Sequence, residues 1–339
     1  MPPVLMTHLG CFDFLYQNGY LHRIWITISG STALYGFFVL SGFLITTILL
    51  KEKSSKRCIS AKRFFIRRAL RLFPPLFVFY GAVTFLMLHG SLTKNLVALL
   101  CSFFYCYNFI ANKFWSNELS HTWSLSVEEQ FYLMWVWVIK YLKEKNIYRT
   151  VFIILILSFI ALLVYPYISY SDLNKVVHLI DEFKTERFLI PAICPVLIGC
   201  TAALYCYNRF EIIVELVQQK WSFALGLFFL CCPLYLPNSA LPFAFIFQSI
   251  GIAILIVWVA HKPKSILTHL LENSVLVLIG QMSYSIYIWQ GLFLGTGPTS
   301  VLWFQQFPQN IILTFAFASS SYFFLEKPIL NLKNKFSDV

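Results

Sequence analysis

Long apolar runs fill the chain, and short polar stretches separate them. A helix needs about 20 apolar residues to cross ~30 Å of hydrocarbon. Runs near 33–50, 73–90, 126–142, 150–168, 188–206, 221–236, 242–260, 275–294 and 309–325 qualify as crossing helices. A further stretch, 95–111, is apolar but interrupted by Asn95, Ser102 and Asn108. The opening MPPVLMTHLGCF is apolar for only about 12 residues, roughly 18 Å of helix, too short for a full crossing. The pattern predicts an all-α, polytopic membrane protein of about ten transmembrane helices, the first one truncated.

One stretch departs from this pattern. Residues 61–81, AKRFFIRRALRLFPPLFVFYG, run from a basic amphipathic segment into an apolar one. Arg63, Arg67 and Arg71 recur every four residues and stack on one face of a helix. Like charges at that spacing repel, so the face asks for an anion. Lipid headgroups and a phosphorylated cosubstrate both answer that demand. The Leu72–Pro75 segment predicts a break that turns a surface helix into a span.

Composition and charge sharpen the picture. Hydrophobic residues make up 58% of the chain and charged residues 12%, against about 25% charged in a soluble domain. A net charge of +11 would otherwise suggest nucleic acid, but here it lies in loops, where membrane orientation explains it. If 95–111 is re-entrant or lies at the surface, the basic loops near 51–71, 140–149, 207–220 and 261–272 share one side with the C-terminus. That arrangement gathers most of the 26 Lys and Arg on the cytoplasmic face and puts both termini there. The nine cysteines form no CxxC pair and no Cys/His cluster. They read as small packing residues, and no metal is implied. No internal repeat, cleavable leader or soluble accessory domain is evident, so residues 1–339 read as a single integral-membrane domain.

A few polar residues at membrane depth are candidates for chemistry. His8 titrates near neutrality and suits proton transfer. HTWSLSVEEQFY, beginning at His121, opens a span with two carboxylates. Ser126 and Glu129 match a capping box, whereas Glu128 has no such local role. His121 reads as a loop histidine, and Ser41 and Gly42 as helix-packing residues. Arg187 either pairs with Glu186 or lines a cavity. Tyr284, Ser285 and Tyr287 either anchor at the interface or bond a polar ligand. Glu326 and Lys327 mark the edge of the last span, with Pro328 stopping its helix.

Several of these stretches occur in an order that resembles the acyltransferase-3 family of bacterial membrane O-acyltransferases. They are THLG, GFFVLSGFLIT, RFFIRRALRLFPP, HTWSLSVEEQFYL, TERFLIPAICPVLIGCTAAL, IGQMSYSIYIWQ and SYFFLEKP. The resemblance covers nearly the whole chain. It implies transfer of an acyl group, often acetyl, from acyl-CoA to a hydroxyl of a cell-surface or lipid-linked glycan, at the bacterial inner membrane. By residue, His8 matches the early histidine, and Arg67, Arg68 and Arg71 match the cytoplasmic arginine motif that serves the donor. Glu128 matches the carboxylate of W-S-L-x-x-E-E, with Trp123, Glu129, Arg187 and Tyr284 as expected acceptor contacts. Family members also carry an Arg about ten residues before the histidine. Here that position precedes Met1, which implies a misassigned start or a truncated, impaired chain.

The chemistry fits acyl transfer from a thioester, with acyl-CoA a cosubstrate and no cofactor permanently bound. His8 would act as general base or transient acyl carrier, and Glu128 would orient the imidazole or the sugar. A glycolipid flippase and an inactive homologue are the alternative readings.

Overall fold

The computed structural model describes residues 23–24, 27–170, 187–236, 241–261, 265–295 and 302–333. Among them the regular elements are helices: α1 (Gly30–Lys56), α2 (Ala61–Leu88), α3 (Leu96–Phe103), α4 (Thr122–Tyr141), α5 (Glu144–Tyr170) and α6 (Cys194–Asn208). After these come α7 (Phe210–Gln218), α8 (Lys220–Leu230), α9 (Leu241–His261), α10 (Ser274–Gln281), α11 (Ser283–Leu294) and α12 (Gln309–Ser321). By length and composition, α1, α2 and the Phe243–His261 part of α9 can each cross a membrane. Two bent pairs reach that length together: Phe210–Val217 with Trp221–Leu230, bent by 86°, and α10 with α11, bent by 64°. The described residues thus hold three clear spans, or up to five counting the bent pairs.

The chain divides into two compact units. Among the described residues, one unit holds those of 60–126 and 274–333 and the other those of 23–59 and 127–273, and the division falls inside α4. The first unit is built around α2. Its core includes Leu76, Phe79, Tyr107, Ile288 and Trp289, all buried. In the second unit α1 and α6 meet almost backbone to backbone. A Cβ on Gly42 would fall 2.0 Å from the Val196 carbonyl oxygen, and one on Gly199 would fall 2.0 Å from that of Val39. Small residues allow this approach where the bilayer supplies no hydrophobic force between helices. The packing role expected of Gly42 is therefore what the structure contains.

Four local expectations are corrected. The Pro74–Pro75 pair does not break the chain, since α2 runs unbroken from Ala61 to Leu88 with both prolines inside. Proline removes the N–H donors to carbonyls four residues earlier and crowds them. Those carbonyls are Leu70 and Arg71. Burial holds the segment in place: Leu72, Pro75 and Leu76 are buried, and the Tyr284 hydroxyl donates to the adjacent Leu72 carbonyl at 3.0 Å. Pro328 likewise does not stop the last helix. α12 passes through a π-helical turn, Tyr322–Glu326, into a helix Lys327–Lys333. There Pro328 occupies the first turn, where its missing N–H costs little. The run 275–294 is two helices rather than one, with the bend at Met282.

The fourth correction concerns Ser126 and Glu129. α4 begins at Thr122, so both lie inside the helix and form no capping box. The Ser126 hydroxyl instead donates to the Thr122 carbonyl at 2.9 Å and accepts the Tyr107 N–H at 3.3 Å.

The 95–111 stretch does not cross. α3 has 8 residues, about 12 Å of helix. Asn95 caps it, accepting the Ala98 N–H at 2.9 Å and donating to the Phe114 carbonyl at 2.7 Å. Short 3₁₀ turns at Tyr107–Phe109 and Asn112–Phe114 follow.

Candidate functional site

His8 lies outside the described residues. The arginine row does not. Ser60 caps the start of α2 by accepting the Arg63 N–H at 3.4 Å. The helix then presents Arg67 and Arg68 half-buried and Arg71 exposed. The charge of Arg71 acts on Glu326, which is 1% exposed and accepts a hydrogen bond from the Ser285 hydroxyl. One residue past Arg71 is the Leu72 carbonyl that Tyr284 holds. The first unit therefore gathers Arg71, Glu326, Ser285 and Tyr284 at the basic end of α2. Sequence reasoning took Glu326 for an edge charge. The signal it lacked was the contact with Ser285, 41 residues away in the chain.

Farther along α2, Phe79 meets His121. That is eight residues beyond Arg71, about 12 Å at the helical rise. His121 lies in the turn just before α4, as expected of a loop histidine, but it is buried, at 8% exposed. Its ring stands edge-on to Phe79 (5.5 Å, 83°) and to Tyr287 (5.3 Å, 77°). The Tyr287 hydroxyl donates to the His121 carbonyl at 2.7 Å and bonds the Ser124 hydroxyl. A Cβ on Gly291 would fall 2.0 Å from the His121 ring, so glycine is required there. Trp123 is half-buried and packs on the same core.

In the second unit Glu128 is 3% exposed. Its Oε1 accepts from the Ser41 and Tyr132 hydroxyls. A buried carboxylate is costly unless hydrogen-bonded, and two hydroxyl donors offset much of that cost. About two helical turns on along α4, the Trp135 indole N–H donates to Thr46 at 2.9 Å. α1 and α4 thus share a polar track that runs from Ser41 to Thr46. Glu129 and Arg187 are each half-buried.

A family model described as an acyltransferase domain matches residues 4–325. The chain belongs to the acyltransferase-3 family. It is 30% identical over 323 residues to the peptidoglycan O-acetyltransferase OatA of Listeria monocytogenes, covering 86% of this chain and 50% of the relative. It is 26% identical over 357 residues to the O-acetyltransferase OatA of Staphylococcus aureus, covering 91% of this chain and 54% of the relative. The chain spans about half the length of the curated relatives it matches. No solved structure matches it.

Within this acyltransferase-3 chain the two units supply different chemistry. The α2 end offers guanidinium groups, which bind phosphate bidentately. The α1–α4 track offers a buried carboxylate already held by hydroxyls, a group fixed in place before any partner arrives.

Proposed function

We propose that this chain is a membrane-embedded O-acyltransferase that moves an acyl group, acetyl by family default, from acyl-CoA to a hydroxyl of a cell-surface glycan. Peptidoglycan is the acceptor in the name of the Listeria relative; capsule, exopolysaccharide and O-antigen belong to the same chemical class. The observation that carries the reading is the arginine row of α2, which leads along a single helix to the aromatic-lined His121. Arg67, Arg68 and Arg71 take the CoA phosphates, and the pantetheine arm extends along α2 into the membrane.

In the transfer step the acceptor hydroxyl attacks the thioester carbonyl. The new C–O bond forms, the C–S bond breaks, and the hydroxyl proton passes through His8 to the departing thiolate. The family motif assigns Glu128 the orienting carboxylate. Trp123, Glu129 and Arg187 contact the acceptor. Tyr284, whose hydroxyl holds the Leu72 carbonyl, positions the arginine helix. The topology consistent with this chemistry has about ten spans in the bacterial inner membrane, with both termini cytoplasmic, where CoA is found.

The test uses the full chain, purified, with radiolabelled acetyl-CoA and a glycan acceptor. The wild type is expected to bind the donor and transfer acetyl. Arg67→Ala/Arg68→Ala should weaken donor binding, and His8→Ala should abolish transfer while donor binding survives. A wild type that neither binds nor hydrolyses acetyl-CoA sinks the reading. Glycolipid movement without acetyl transfer would replace it with a flippase.

A further inference from the structure

The end of α4 carries the marks of a membrane–water interface. Trp137 and Tyr141 stack 5.8 Å apart and 5° from parallel, and both are exposed. Lys140 Nζ lies 5.2 Å over each ring. Amphipathic rings with a long cationic side chain across them belong at headgroup depth.

A cavity of about 550 Å³ opens at this level within the second unit. Lys53, Lys140 and Lys143 line it, with Glu144 the only carboxylate in the lining. Leu50, Ile147 and Leu204 supply an apolar part of the lining. The Lys53 ammonium donates to the carbonyls of Ile139 and Leu142. It thereby satisfies acceptors at the α4 C-terminus that would otherwise repel an anion. Lys140 and Lys143 are then the cations presented to a ligand.

We propose that this cavity binds the phosphodiester headgroup of an anionic phospholipid. The apolar part of the lining decides between lipid and soluble phosphate. A free nucleotide phosphate gains nothing from Leu50, Ile147 and Leu204, whereas a glycerophospholipid sets its first methylenes against them. Charge sets the headgroup preference, because each basic residue at an anionic lipid surface contributes about 1 kcal/mol, roughly fivefold in affinity. The site is distinct from the α2 arginines and holds whether or not the acyl-transfer reading does.

Native mass spectrometry of the detergent-purified full chain tests it, with phosphatidylglycerol or phosphatidylcholine added. The wild type should retain phosphatidylglycerol in preference to phosphatidylcholine. Lys140→Gln/Lys143→Gln should weaken that retention by roughly fivefold per lysine. Lys140→Arg/Lys143→Arg, which keeps the charge, should preserve it. Three results would each overturn the proposal: equal retention of the two lipids, a Gln variant indistinguishable from wild type, or loss of the adduct in the Arg variant. Displacement of the lipid by coenzyme A would reassign the cavity to a nucleotide and equally defeat it.

Discussion

At the scale of single residues, the informative groups are buried polar ones whose partners are distant in sequence. Glu128 draws both of its hydroxyl donors onto one carboxylate oxygen, from Ser41 on α1 and Tyr132 on its own helix. Removing one donor leaves that oxygen under-bonded, at about 1–3 kcal/mol. Ser41→Ala and Tyr132→Phe should each destabilise the fold by that amount, read as a lower unfolding midpoint in detergent. Their effects should be non-additive because they share an acceptor. Two independent, additive losses would show that Glu128 does not couple them. The Glu128 carboxylate was legible as a candidate because no capping role excused it. Ser41 was not, because an 87-residue separation hides the pairing and a mid-helix serine beside glycine reads as packing. The burial of the turn residue His121 was hidden for a related reason: its surroundings come from α2 and α11, not from its neighbours in the chain.

At the scale of elements, the apolar runs located helices well and their interruptions poorly. α2 continues through two prolines because the buried faces of Leu72, Pro75 and Leu76 outweigh two missing hydrogen bonds. α10 and α11 bend where an unbroken apolar run predicted a straight helix. The α1–α6 crossing is the tightest backbone-to-backbone contact the glycines reveal. Gly199→Ala would put a methyl 2.0 Å from a backbone carbonyl oxygen. That oxygen belongs to a helix and cannot rotate aside, so the helices must separate. The expected cost is about 1–3 kcal/mol of overpacking, read as a lower thermal midpoint. Gly81→Ala on α2, where a Cβ would meet nothing within 4 Å, is the matched control and should leave the midpoint unchanged or raise it through helix propensity. Equal behaviour of the two variants would mean that the close approach is not held in the membrane.

At the scale of the whole molecule, the proposed topology makes a labelling prediction. Cys58 and Cys106 are both exposed. They flank α2, which by length and composition can cross the bilayer. Because α3 is too short to cross, the chain stays on the far side until α4. In intact cells a membrane-impermeant maleimide should label Cys106 but not Cys58, and permeabilisation should expose Cys58. The reverse pattern would invert the orientation and take the arginine row away from cytosolic CoA. Labelling of both from one side would mean that α2 does not span.

What the sequence determined by itself is the solvent and the chemistry on offer. Apolar runs of helix length require a bilayer, since only helices and closed barrels satisfy their backbone there. A row of arginines requires an anion, and an ordered set of motifs is enough to place the chain in its family. Only the tertiary structure decided which polar groups meet. Ser285 holds a buried Glu326, Tyr284 bonds the Leu72 carbonyl, and Ser41 holds Glu128. Periodicity reports which face of a helix is apolar, but partners across helices depend on packing, and packing at close range is set by where glycine lets two backbones touch.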